Sequence, residues 1–471
     1  MAPQRESLRD TPFALKSNEI MNRALAWIRR HPTKTIIGAA TLGVAVVAVW
    51  NLFRPINDLR LNTIRKAGYP VTLTELDQFY PPVADSENAA LVYTQAFASP
   101  LFGDDSLISD LFPDGLKAIT RGQPLSVQSR KRLAELLSAH RPTIELLHHA
   151  TNFARGRFPL DLTQGQMLLL PHLGKQKQAV MLLGAEAMLH AEEGDVARCV
   201  QALQAAQRAA DALADEPLLI SHLVRMACWG LFVQQLELIL NRAAIPDADL
   251  AFLQQQLASA EHPGGLARAL AGERAFGLAI FTDPKTQNAM LAQGKPPTLP
   301  SRIVGQAGFS FLKALGLLRK DRDFFLDRME IQVSLAETSV PERLRQARQA
   351  PPLVVTNRFL LFSRLLLPSL ARALERDAEH VARLRVARTA LAMERFRQAH
   401  QGALPERVEK LVPGWLEEVP KDLDDQTIRF RPLQAGFLIY SVGLDGRDDG
   451  GVEGDPRQSK AARDIVFKVQ R

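Results

Sequence analysis

The amino-acid sequence predicts a mainly α-helical chain in three parts: one N-terminal transmembrane helix, an all-α helical ectodomain and a small α+β module after it. Three observations carry this expectation. Residues 35–53 (TIIGAATLGVAVVAVWNLF) contain no charged side chain. Apolar residues then recur at helical spacing from Thr72 to about His400, and beyond His400 short segments alternate apolar and polar residues as strands do. The expected boundaries are a cytoplasmic segment at 1–34, the membrane helix at 35–53, the helical ectodomain at 54–375 and the α+β module at 376–471.

As a helix rising about 1.5 Å per residue, the uncharged run spans roughly 28 Å, close to the ~30 Å hydrocarbon core of a bilayer. Backbone amides cannot stay unpaired in lipid, so a helix is the expected form, and Trp50 near one end suits the interface. Arg23, Arg29, Arg30 and Lys34 precede the run, and Arg54, Arg60, Arg65 and Lys66 follow it. Arg5, Arg9 and Lys16, further out, break this balance toward an N-terminus that stays inside. With a long segment before the run and no small-x-small site after it, the expectation is an uncleaved signal anchor.

Composition narrows the function classes. A 46% hydrophobic and 23% charged chain can build an ordinary globular core. The net charge of +7 comes from lysines and arginines interleaved with acids, and aromatic residues make up 6% of the chain. No stacking platform for bases is visible, so no nucleic acid is expected. The cations flanking the apolar run suit anionic lipid headgroups instead. Cys199 and Cys228 form no disulfide framework and lack metal-ligand spacing; whether they pair is left open.

In chain order, Thr72 and Glu75 form a T-x-x-E capping box that opens a short helix, stopped by Pro81 and Pro82. Asp85 or Ser86 is expected to cap the next helix, which carries Ala89, Ala90, Tyr93 and Phe97 on one side. Ser126 starts another, with Leu133, Leu136 and Leu137 stacked before Pro142 breaks or kinks it. In QKQAVMLLGAEAMLHAEEGDVARCVQALQAAQRAADALADEP, Gly194 can end one helix and Asp195 cap the next. This stretch resembles a single tetratricopeptide-type helical hairpin, with Leu183 and Ala187 on the first helix and Cys199, Leu203 and Ala206 at the close contacts of the second. Asp215 and Pro217 open a long helix through Asn241, apolar on two faces, so it is expected to be buried among neighbours. Asp247 is expected to cap a further helix, and GLARALAGERAFGLAIF forms another, interrupted by Glu273 and Arg274. Residues 282–302 lose all periodicity and read as a linker. The stretch 359–371 (FLLFSRLLLPSLA) is apolar, but it is too short and too interrupted for a second span.

After His400 the sequence reads as a short helix and turn (RVEKLVPGWLEEVP), a hairpin (TIRFRP and GFLIYSVG), an acidic glycine-rich loop (GLDGRDDGGVEGD) and a third strand (DIVFKV). The ordered set RFRQAHQGALPERVEKLVPGWLEEVPKD, FLIYSVGLDGRDDGG and DIVF resembles the C-terminal part of type II secretion pseudopilins. In those proteins the equivalent loop holds calcium. The resemblance therefore implies a calcium site at Asp445, Asp448, Asp449 and Asp464, with Gly446, Gly450 and Gly451 permitting the turns. The residues before Ile36 are RRHPTKT and no glutamate enters the apolar run, unlike the leader of a pseudopilin. The chain as a whole, through AGYPVTLTEL, DSENAA, FPLDLTQGQMLLLPHLG, EEGDVA, DEPLLISHLVR and GERAFG, is similar to a group of uncharacterised bacterial envelope proteins. That similarity implies a single-pass protein of the bacterial inner membrane with its C-terminal part in the periplasm.

The sequence contains no H-E-x-x-H, G-x-S-x-G, C-x-x-C or phosphate-binding glycine motif. The most suggestive polar set is Asp161 with His172, since a carboxylate can orient an imidazole for acid-base work. The structural alternative is that Asp161 caps a turn and Pro171-His172 begins a helix. Three functional readings follow: a membrane-anchored interaction or scaffold protein with a protein partner in a secretion or assembly system, an envelope enzyme acting at Asp161 and His172, and a structural pseudopilin-like component.

Overall fold

The computed structural model describes residues 59–103, 123–283, 310–351, 353–357, 359–452 and 464–471, with isolated positions (30, 31, 33, 41–43, 45, 46, 49, 50, 121, 286 and 308) elsewhere. Most of the expected membrane helix at 35–53, and nearly all of the expected linker at 282–302, lie outside the described residues. Within the apolar run, positions 41–43, 45, 46, 49 and 50 are helical, and Leu42, Val46, Val49 and Trp50 are exposed.

The described chain is mainly helical. It runs through α1 (Leu59–Lys66), α2 (Leu73–Phe79), α3 (Ala89–Ala96), α4 (Val127–Ala139), α5 (Arg141–His149), α6 (His172–Glu193), α7 (Val196–Asp211), α8 (Leu219–Leu240), α9 (Asp247–Ala260) and α10 (Gly265–Thr282). It continues with α11 (Leu317–Ala336), α12 (Val340–Gln349), α13 (Leu361–Leu366) and α14 (Ala373–Ala399), then strands β1 (Arg429–Pro432), β2 (Phe437–Ser441) and β3 (Ile465–Val469).

Local signals set several of these ends. The Thr72 hydroxyl accepts from the Glu75 amide at 3.1 Å, while the Glu75 carboxylate reaches back to the amide of Val71 at 2.9 Å, one residue earlier than the usual box. Asn88 caps α3, accepting from the Ala90 amide at 3.1 Å, in place of Asp85 or Ser86, which sit in a 3-10 turn. Pro142 does not kink a long helix. It sits in the first turn of a new one, α5, where a missing amide costs nothing. Asp247 is the first residue of α9 rather than its cap.

The centre of the fold is the antiparallel hairpin of α6 and α7. Gly194 takes the left-handed conformation (φ 76°) that ends α6, and the Asp195 carboxylate accepts from the Arg198 amide at 3.1 Å to start α7. Leu183, Ala187, Cys199, Leu203 and Ala206 are all buried, as the hairpin reading expects. α8 crosses behind α6. A side chain at Gly184 would collide with the Gln235 amide, so glycine lets α8 press close, and Gln235 donates to the Met181 carbonyl at 3.2 Å. Among the described residues α8 is the one helix with the length and hydropathy of a membrane span, and 67% of its apolar window is buried in the protein.

The sheet is antiparallel in the order β1-β2-β3, with Phe430 opposite Ile439 and Ile439 opposite Phe467. Phe437, Ile439, Phe467 and Val469 are fully buried and belong to the same apolar core as α6 to α9 and the second half of α14. Burying a side chain of that size contributes about 1.5–3 kcal/mol. The boundary expected at 375–376 therefore falls in the first turn of α14, and the α+β part shares its core with the helices. The outer edge of β3 is also covered: Glu237 accepts from the Lys468 amide and Asn241 from the Gln470 amide, each at 2.7 Å. A second core joins α1, α10, α11, α13 and the start of α14.

Candidate functional site

Asp161 and His172 do not pair with one another. Asp161 is exposed and begins the 3-10 turn Leu162–Met167, accepting from the Thr163 amide at 3.0 Å. Hydrogen bonds from the Thr163 hydroxyl and the Gln164 amide hold its carboxyl below the usual range. His172 is the first residue of α6, buried and stacked on Phe158 with ring centroids 4.3 Å apart. Its carboxylate partner is Glu216, with Nε2 3.0 Å from Oε2, and the other Glu216 oxygen accepts the Ser221 hydroxyl. The three side chains are a serine, a carboxylate and an imidazole, but the carboxylate stands in the middle. Nucleophile activation needs the imidazole between hydroxyl and carboxylate so that it can take the proton. Here Glu216 ties the loop before α8 to the start of α6.

The acidic loop between β2 and β3 is organised around Arg429. Its guanidinium donates to Asp448 at 3.1 Å, Asp422 at 2.7 Å and Asp424 at 2.5 Å. The Tyr440 hydroxyl donates to Asp448 at 3.1 Å, and the Asp445 carboxylate accepts from the Arg447 amide at 3.1 Å. Burial alone would raise Asp448, but the Gly450 amide, the Tyr440 hydroxyl and Arg429 hold its carboxyl low. Asp464 differs. It is buried, one oxygen accepts from the Gly451 amide at 2.6 Å, and the other, Oδ1, has no hydrogen-bond partner among the described residues. Burial, with the nearby charges of Asp448 and Asp449, raises its pKa although the Gly451 and Asp449 amides oppose this. Among the described residues no group of three or more His, Cys, Asp or Glu side chains is arranged to hold a metal ion. Residues 453–463, inserted before Asp464, lie outside the described residues.

A third place was not expected from the sequence. An open cleft of about 310 Å³ lies at α5, α6 and α7, lined by His148, Thr151, Glu186, His190, Arg198, Gln201 and Gln204. Every lining residue is polar. The Glu186 carboxylate lies between two imidazoles, 2.9 Å from His148 Nε2 and 4.0 Å from His190 Nε2, and His190 Nδ1 is 3.2 Å from Glu193. Arg198, Gln201 and Gln204 recur at three-residue spacing on α7, which puts them on one face of that helix.

The sequence held part of this arrangement. Glu186 and His190 are four apart on one helix and thus neighbours, a signal visible without a structure. Their partner His148 comes from a different helix 38 residues earlier, and Glu216 meets His172 across 44 residues, so neither pairing is encoded in local spacing. Compared with protein-family models, characterised proteins and solved structures, the chain matches none.

Proposed function

We propose that the protein is a membrane-anchored interaction scaffold of the bacterial envelope, held in the inner membrane by residues 35–53, with residues 54–471 in the periplasm. In this reading the cleft at α5, α6 and α7 receives an exposed polypeptide segment of a protein partner, one that belongs to a secretion or assembly system. The observation that carries the reading is the cleft itself: an open volume of about 310 Å³ lined by polar residues of the α6-α7 hairpin together with His148 and Thr151 from the end of α5 and the turn after it. The glutamine amides offer both donors and acceptors, and the Thr151 hydroxyl, which donates to the His148 carbonyl at 2.7 Å, offers an acceptor, which suits the alternating carbonyls and amides of a peptide backbone. The location rests on the uncharged run and the N-terminal cations; the link to secretion rests on the pseudopilin-like order of helix, hairpin, acidic loop and final strand.

Two experiments test it. A reporter that works only outside the cytoplasm, fused after Arg471, should be active, and activity of a cytoplasm-only reporter at that position would reverse the topology. Affinity capture from detergent-solubilised membranes should bring down a stoichiometric protein partner. A Gln201→Ala, Gln204→Ala double variant with an unchanged thermal melt should lose that partner; undiminished capture by the variant removes the cleft from the reading.

The acidic loop is part of the same proposal, as a calcium site that steadies the α+β part. Its support is the buried, unpartnered Oδ1 of Asp464 beside Asp448 and Asp449, with Asp445 nearby in the same loop. Calcium takes six to eight oxygen ligands, and carboxylates with backbone carbonyls can supply them. Calcium, and not magnesium, should raise the melting temperature of the full chain, and Asp464→Asn should abolish the rise. Identical melts with calcium, magnesium and chelator would exclude the ion.

A further inference from the structure

Two stretches of the chain contain no acidic residue: one lies between Asp283 and Asp321, the other between Glu342 and Glu375, and in both the cations are set among leucine, phenylalanine and valine. Folding brings the described parts of the two together. In the second turn of α11, the Asp321 carboxylate accepts from the amides of Phe362 and Ser363 at 2.8 and 3.0 Å, and the Ser363 hydroxyl donates to the Asp321 carbonyl at 3.0 Å. The start of α13 is thereby fixed beside the N-terminal end of α11. The surface formed there is apolar where water would favour polar side chains. On α13, Phe362 and Leu366 pack on the second core, while Leu361, Arg364 and Leu365, three and four apart and so on one face, are exposed. Ahead of α11, Leu312 packs on the same core, and Phe311 and Leu315, joined by a bond from the Leu315 amide to the Phe311 carbonyl at 3.0 Å, are exposed. Phe311 and Leu365 each keep 64% of their surface open. Lys313 and Lys320 are exposed in the same stretch. Large apolar side chains interspersed with cations are the composition of a segment lying in a membrane interface.

The exit of the expected membrane helix rests on the same α11. Arg60 of α1 donates to the Asp323 carbonyl at 3.4 Å, two residues from Asp321, and pairs with Asp327 at 2.6 Å and Glu330 at 2.9 Å. Leu59, which begins α1, is exposed and lies six residues after Phe53, the last residue of the uncharged run. A link of that length spans at most about 20 Å. A folded domain of about 410 residues has a radius of gyration of roughly 22 Å and is about 55 Å across. The link is much shorter than the domain, so the side of the domain that carries Leu59 stays near the bilayer.

We propose that this face, α13 with the turn at Phe311 to Leu315, docks on the surface of the bilayer that holds the anchor. Its leucines and phenylalanine sit at the boundary of headgroups and acyl chains, and Lys313, Lys320 and Arg364 lie among anionic phosphates. A second copy of the chain would bring the same cations against one another across a two-fold interface, whereas anionic phospholipid matches both the apolar side chains and the charge. The inference rests on the reading of residues 35–53 as a membrane helix, but not on which way that helix points or on a partner in the cleft.

The test is fluorescence quenching of the full chain reconstituted in vesicles of phosphatidylcholine and phosphatidylglycerol that carry a nitroxide on the acyl chain. A fluorophore is placed on Leu365→Cys, on Phe311→Cys or, within the uncharged run, on Val46→Cys; Cys199 and Cys228 are buried, so the parent chain serves as the blank. All three labels should be quenched, and two separate positions on the face guard against an effect of replacing one apolar side chain. Arg364→Gln and Lys320→Gln, both at exposed positions, should each lower the ratio of docked to undocked protein about fivefold, the effect of one cation at an anionic surface. Vesicles of phosphatidylcholine alone should lower it further, with quenching at Val46→Cys unchanged throughout. Quenching at Val46→Cys but at neither position of the face would leave the anchor standing and overturn the docking. Quenching at none of the three would overturn the anchor, and the docking with it. Labels on the face screened from both the nitroxide and iodide in solution would show that protein covers it, which also overturns the proposal.

Discussion

Two buried histidine-carboxylate clusters meet at the start of α8, through Ser221 and His222, and they are built to different standards. At its first turn, Glu216 accepts from Ser221 and pairs with His172 at 3.0 Å, and none of these three side chains has an N or O atom that is buried and unpartnered. One residue further along, His222 pairs with Asp377 of α14 at 2.9 Å, and Arg343 of α12 takes the second Asp377 oxygen. Arg343 also donates to the carbonyls of Ala336 and Thr338 at 3.0 and 3.1 Å. Beside them His380, one turn on from Asp377, is buried, and among the described residues neither of its ring nitrogens nor Arg343 Nε has a hydrogen-bond partner. The first cluster is closed, with its buried polar atoms partnered within it. The second joins three helices through charge and leaves polar atoms over, so its stability depends on protonation.

The sharpest way to break this contrast is to remove the carboxylate that holds the second cluster together. Asp377→Ala leaves a buried imidazole without its carboxylate and a buried guanidinium with only the Ala336 and Thr338 carbonyls, and loss of one member of a buried pair costs about 3–5 kcal/mol. Ser221→Ala removes one neutral donor while Glu216 keeps His172, and it should cost about 1–2 kcal/mol. Urea unfolding of the two variants should therefore differ clearly in midpoint. Equal losses would mean that both clusters are equally dispensable.

Acid should act on the second cluster as well. Burial would raise Asp377, but the bond to His222, then the charges of His222, Arg343 and His380, hold it down at about 2. The unfolded chain takes that proton near pH 4, so the folded state loses stability as pH falls from about 4 toward 2, by about 2–3 kcal/mol in all. His380 is pushed well below the usual imidazole range by burial first and then by Arg225, with the opposing pull of Asp377 and smaller pushes from His222 and Arg383. Its folded form refuses a proton that the unfolded chain accepts, so loss begins earlier, as pH falls through about 6.5. A stability profile that is flat from pH 7 to pH 5 would show that His380 contributes nothing.

How much of this could be read in advance depended on distance along the chain. The α6-α7 hairpin was legible because glycine at 194 and aspartate at 195 act within a turn of their own positions. The three strands were legible because alternation is local. The cap of α3 was not: the sequence reading offered Asp85 or Ser86, and the cap is Asn88, whose Nδ2 also donates to the Arg157 carbonyl, 69 residues away. Asp377 and His222 lie 155 residues apart, and nothing in the local pattern of a buried helix marks which of its polar residues will meet. His172 drew notice for the right reason, a carboxylate nearby, but folding supplied Glu216 rather than the sequence neighbour Asp161.

The smallest expected effect is also the one that isolates His380. His380→Leu keeps similar bulk and removes two unpartnered nitrogens, leaving the Asp377 bonds to His222 and Arg343 untouched. Replacing an unsatisfied polar group by an apolar one of like shape is close to neutral or stabilising, so near pH 7.5 the variant should lie within about 1 kcal/mol of the parent. The difference should grow in acid. At pH 5 the unfolded parent is favoured by protonation of His380, and the unfolded variant is not, so the variant should be the more stable protein. Urea melts at the two pH values check both points. A variant that loses stability equally at pH 7.5 and pH 5 would assign His380 a packing role and place the acid sensitivity of this cluster on Asp377 alone.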